Sequence, residues 1–144
     1  MKLAKTLLLI GGIANALFFL FHCWLGWQLH GWAALPPAAR VLMEMLNGGG
    51  AGLVLLLAVA SFACTADMLT TRLGHCVLAA TAALYGLRGV AEIFLAPRIQ
   101  PAVVAACLAV STLYVAVLVC ARRALAPAAA PTAASAIGRP ILSS

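Results

Sequence analysis

The amino-acid sequence predicts an all-α fold: a four-helix transmembrane bundle in up-down topology, N-in/C-in, with a disordered C-terminal tail. Two observations carry the prediction. The 144-residue chain is 65% hydrophobic and 8% charged, whereas soluble domains average about 45–50% and about 25%. Its few charges are also segregated, for residues 6–39, 45–66, 73–87 and 99–121 contain no Asp, Glu, Lys or Arg. A spanning helix needs roughly 20 mainly apolar residues, and these stretches with their flanks supply four.

The first span is expected over residues 6–29. MKLAKTLLLIGGIANALFF has the outline of a signal peptide. Signal h-regions are only about 7–15 residues long, and here the apolar stretch runs on to Trp27, so the segment reads as an uncleaved span. Pro36-Pro37 break the chain before the second span, residues 39–63. The third is expected over 73–96. Pro97 and Pro101 separate it from the fourth, 101–121, because proline lacks the helical N–H and turns the preceding residue away from helix. Short connections make sequence neighbours antiparallel. The domain ends near residue 123, and the Ala/Pro-rich segment 124–144 reads as a disordered tail.

Orientation follows from the lysines and arginines near span ends. With the N-terminus inside, Lys2, Lys5, Arg72, Arg122, Arg123 and Arg139 are cytoplasmic, and only Arg40 and Arg98 are outside. Trp24, Trp27 and Trp32 then sit near the outer head-group level, where amphipathic rings prefer to lie. The net charge of +6 thus punctuates span ends, unlike the clustered basic face of a nucleic-acid-binding domain. No nucleic-acid partner is expected. The bilayer is the expected partner, with a homo-oligomer or a larger membrane complex as further possibilities, in a bacterial plasma (inner) membrane.

The polar residues inside the spans are the candidate site. At about 1.5 Å per residue, His22, Glu44, Asn47, Arg88 and Glu92 all fall roughly 5–10 Å outward of the midplane. Helical spacing of three and four aligns each with a polar stripe on its helix. These five are the candidate ligand- or ion-binding residues. A structural role competes. Arg88 with Glu92, and Arg40 with Glu44, have the i,i+4 spacing of ion pairs, and if both form nothing is left to recruit a ligand. If Arg40 does not take up Glu44, the cluster has an excess carboxylate and is expected to hold a cation or a proton. Span four adds Cys107, Ser111 and Tyr114 on one stripe, and Asn15, Thr81 and Tyr85 lie near the midplane, a thin set for a transport pathway. Gly48, Gly49, Gly50 and Gly52 predict either a close helix–helix contact, the favoured reading, or a local break lining a cavity.

Cys23, Cys64, Cys76, Cys107 and Cys120 form no C-x-x-C pair. They read as small packing residues, without the paired thiols of a disulfide oxidoreductase. His22 and His75 lie too far apart for a shared haem, and neither H-E-x-x-H nor H-x-x-E-H occurs, so no metal site is assigned. No cofactor is indicated.

FFLFHCWLGW, RVLMEMLNGG, TTRLGHCVL and YGLRGVAE together give the chain a pattern that resembles small, uncharacterised four-span bacterial membrane proteins. The resemblance covers about residues 10–95 and implies the fold but no activity. The functional expectation is an accessory subunit or an outward-facing protein binding a polar ligand or cation. A small ion- or proton-coupled transporter and a membrane-embedded enzyme acting on a lipid or quinone head group are the alternatives.

Overall fold

The computed structural model describes residues 1–96 and 99–125, and its regular elements are all helices. They are α1 (Lys2–His30), α2 (Pro37–Ala63), α3 (Thr65–Thr70), α4 (Arg72–Leu95) and α5 (Pro101–Leu125). The four long ones are each long and apolar enough to cross a membrane, and they match the expected spans to within a turn or so at each end. Pro97, Arg98 and residues 126–144, which include nearly all of the expected tail, lie outside the described residues.

Local chemistry sets the helix ends. Pro37 opens α2, where a missing N–H costs nothing because the first-turn donors have no helical partner. The Thr71 hydroxyl caps α4 by accepting the Gly74 N–H at 2.9 Å. Pro101 opens α5, and the Gln100 carbonyl accepts from Val103 and Val104 at 3.0 and 3.1 Å.

The short α3 was not expected. The Thr65 hydroxyl donates to the Ser61 carbonyl at 2.6 Å, binding a side chain to the last turn of α2. Met68 and Leu69 are buried with Ala4, Leu8, Val117 and Ala121. A connection that reads as a loop is therefore a plug that closes one end of the bundle. A Cβ at Gly74 would collide with the backbone of Asp67 and Met68, so only glycine lets α4 start this close to α3.

Helix α1 packs on α2 and on α5, α4 packs on α5, and α3 touches all four long helices. No packed seam joins α2 to α4. The outer surface is apolar as well, with Leu17, Leu46, Leu56 and Leu87 between 62% and 70% exposed. A helix bathed in water turns a polar face outward, so this surface suits lipid. Contrary to the favoured sequence reading, three of the four α2 glycines make no close contact within the chain, Gly50 beside His22 being the exception. The helix runs unbroken, and a Cβ at Gly48, Gly49 or Gly52 would meet nothing within 4 Å. These three lie on the face opposite Asn47, Val54 and Ser61. Close approach belongs to α1: a Cβ at Gly11 would lie 2.9 Å from the Tyr114 ring, and one at Gly12 would lie 3.0 Å from Ser61 Cβ.

That approach lets one hydrogen-bonded chain cross all four long helices. Tyr85 Oη of α4 donates to Asn15 Oδ1 of α1 at 2.5 Å. Asn15 Nδ2 donates to Tyr114 Oη of α5 at 2.6 Å. Ser61 of α2 gives its proton to the Leu57 carbonyl at 2.8 Å, so the 3.2 Å contact between Tyr114 and Ser61 has the tyrosine as donor. Asn15, Ser61 and Tyr114 are fully buried. Replacing Asn15→Leu keeps the branched four-atom outline of the side chain, though not its volume, and strands both tyrosine hydroxyls on that side. The expected loss is about 1–3 kcal/mol, larger than the ~0.6 kcal/mol average for one interhelical bond in a membrane. A denaturant titration in detergent measures it, and adding Tyr85→Phe should recover part of the loss. An unchanged midpoint for Asn15→Leu would contradict the role given to this chain.

Candidate functional site: a cleft between four helices

Above this chain lies a cleft of about 340 Å³. Phe18, Phe21 and Leu25 of α1, Leu53 and Val54 of α2, and Leu84 of α4 form most of its wall. Tyr85 also lines it, its ring tilted against Phe18 at a centroid distance of 5.4 Å. The polar lining comes from His22 and Arg88, with the Cys107 thiol beside them. The cleft exists because α2 and α4 do not close on each other and because Gly50 leaves room for an imidazole. A Cβ at Gly50 would stand 3.1 Å from His22 Cε1.

His22 is held in one orientation. Asn47 Nδ2 donates to the His22 carbonyl at 2.9 Å, which turns the amide oxygen toward the ring. Asn47 Oδ1 lies 2.7 Å from His22 Nδ1, and an amide oxygen only accepts, so Nδ1 carries the proton. In the neutral form of the ring this leaves Nε2 as an acceptor, and Nε2 has no hydrogen-bond partner among the described residues. Gly26 permits the contact, since a Cβ there would lie 3.1 Å from Asn47 Nδ2.

Arg88 is bound at one end only. Its Nη1 donates to Glu92 Oε2 at 2.8 Å, the Arg side chain 53% exposed and the Glu side chain 9%. Glu92 Oε1 accepts the Gln100 N–H at 3.4 Å, beside the first turn of α5, where a carboxylate is favoured by the unpaired amides. Glu92 is thereby spent on structure, tying α4 to the start of α5. The other N–H groups of Arg88 make no bond among the described residues, and Arg88 lines the cleft.

The five sequence candidates therefore divide. His22 and Arg88 come together at the cleft, and Asn47 orients His22 from behind. Glu92 neutralises Arg88 without lining the cleft. Glu44 lies apart, 3.3 Å from His30 Nδ1, so of the two readings left open for it neither the Arg40 pair nor a place in the cluster forms, and its contact runs across the Pro36-Pro37 connection. Arg40 forms no ion pair among the described residues. With neither carboxylate in its wall, the cleft has no excess negative charge to recruit a cation. No group of three or more His, Cys, Asp or Glu able to hold a metal ion occurs among the described residues. Sequence reasoning missed Ser61 and the Asn15-centred chain, and it assigned no contact to His30. All five cysteines are free, with Cys107 buried and Cys23, Cys64 and Cys76 outward, so the packing role expected of them fits Cys107 best.

Comparison with protein families, curated proteins and solved structures found no match.

The pairing of Arg88 with Glu92 is testable by substitution. Breaking a buried pair costs about 3–5 kcal/mol, and half-exposure of Arg88 lowers the expectation for Arg88→Leu to roughly 1–3 kcal/mol. The double variant Arg88→Leu with Glu92→Leu should regain most of it. Melting in detergent reads both, and a single variant as stable as the parent would show that Glu92 does not depend on Arg88.

Proposed function

We propose that this chain is a small four-span integral membrane protein, with both termini cytoplasmic, that binds the oxygen-bearing head of an amphipathic molecule in the cleft. The observation that carries the reading is the pairing of a bare imidazole acceptor with a guanidinium donor on an otherwise apolar wall. Ligand pockets are typically about 300–1,000 Å³, mainly apolar, with a few polar groups that fix orientation. A carbonyl or phosphate oxygen suits Arg88, a hydroxyl suits His22 Nε2, and an apolar tail suits Phe18, Phe21 and Leu53. Quinones, quinols and lipid head groups share that chemistry.

Several features favour binding over passage. Below the cleft the core closes on Leu8, Leu78, Tyr114 and Val117, all without exposure. The Asn15 chain crosses the same level with its donors and acceptors satisfied. The cation reading draws no support from a wall without carboxylates. An oligomer or a larger membrane complex fits the open face of Gly48, Gly49 and Gly52, and a binding subunit within such a complex is consistent with both features.

The test is an organic extract of the protein purified in mild detergent, analysed for quinones and lipids. A molecule of this class should co-purify near one per chain. Losing one buried hydrogen bond of about 1.4 kcal/mol is tenfold in affinity, so His22→Leu should lower retention about tenfold. Leu53→Trp, which fills the cleft without touching a polar group, should lower it as well. Equal retention in parent and both variants would overturn the proposal, as would an extract no richer than the surrounding micelle.

A further inference from the structure

A second concavity, about 470 Å³, lies at the opposite end of α1, between its first turns, the end of α2 and α3. Lys2 and Lys5 stand over it, with Leu9, Phe62, Ala66 and Leu69 beneath. We propose that this groove seats an anionic phospholipid, its phosphate on Lys2 and Lys5 and its upper acyl chain against Leu9 and Phe62.

The level is right for a head group. Helix α1 has 29 residues, about 43 Å at 1.5 Å each, against a hydrocarbon core of about 30 Å. Its first turns therefore reach the interface. The charge is also right. Lys2 and Lys5 make no ion pair among the described residues, and Arg72, Arg122 and Arg123 belong to the same end, with Asp67 the carboxylate there. Helix α3 builds the groove by folding Leu69 inward and leaving Ala66 as a small, exposed floor.

The donors define the selectivity. The Thr65 and Thr70 hydroxyls border the groove but donate to the carbonyls of Ser61 and Ala66, at 2.6 and 2.9 Å. The side-chain donors left for a phosphate are two ammonium groups, which act as point charges without the planar fork of arginine. Such a site reads net negative charge and not head-group shape. It should separate phosphatidylglycerol from phosphatidylcholine and treat phosphatidylglycerol and phosphatidylserine alike.

Native mass spectrometry of the full chain in mild detergent, titrated with each of these three lipids, tests the proposal. A lysine near an anionic surface contributes about fivefold in binding, so Lys2→Gln with Lys5→Gln should cost roughly thirtyfold for phosphatidylglycerol and leave phosphatidylcholine unchanged. Arg122→Gln with Arg123→Gln removes the same charge away from the groove and should leave the preference intact. Ala66→Trp fills the groove, keeps every charge and should abolish retention. Inorganic phosphate should not displace the lipid. Equal losses in the two charge variants, full retention in Ala66→Trp, or displacement by phosphate would each overturn the groove as the site.

Discussion

The structure depends on one asparagine. Asn15 is the point at which α4, α1 and α5 meet through hydrogen bonds, and Tyr114 extends the chain to Ser61 on α2. Every proton in the chain has one direction, from Tyr85 to Asn15, from Asn15 to Tyr114, from Tyr114 to Ser61 and from Ser61 to the Leu57 carbonyl. In apolar surroundings helices gain little from hydrophobic burial, since lipid tails are as apolar as Leu. Close packing and satisfied polar groups must hold them instead. Gly11 and Gly12 supply the first, and the Asn15 chain supplies the second.

The cleft is a consequence of that arrangement. Tyr85 is held by Asn15 at its hydroxyl and by Phe18 at its ring, so the lower boundary of the cleft is fixed. Above it α2 and α4 part, and the residues that line the gap are held by others. Asn47 holds His22, and Glu92 holds Arg88. The division of labour among the polar residues is clear. Asn15, Ser61, Tyr114 and Glu92 are satisfied within the fold, whereas His22 and Arg88, which line the cleft, each retain an unused hydrogen-bonding valence.

Much of the architecture was legible in the sequence, because a helix able to cross a bilayer must meet a length and a composition, and the four long helices meet both. The four long helices followed from charge-free runs and from Pro36, Pro37 and Pro101. The six-residue α3 did not, for TADMLT lies between a cysteine and a threonine with no break residue to mark it. Asn47 beside His22 was visible only as two polar residues at similar depth. Position along each helix axis is set by rise per residue, but the pairing also needs the rotation of each helix, which the periodicity of a single helix leaves open. The same limit hid Ser61, which reads as an unremarkable serine until Gly12 brings α1 against it. It also left Glu44 open between Arg40 and the cluster, because i,i+4 spacing could not show that the chain reversal at Pro36-Pro37 brings His30 beside it.

The cleft can act as a binding site only if Asn47 fixes His22 with Nε2 left free for a ligand. Solid-state NMR of protein labelled with 15N-histidine in lipid bilayers tests it directly, with His22→Leu assigning the resonances. The expected spectrum is that of a neutral ring protonated at Nδ1, whose Nε2 signal moves when a quinol is added while Nδ1 stays bonded to Asn47. A ring protonated at Nε2, or an Nε2 signal indifferent to the added quinol, would contradict it.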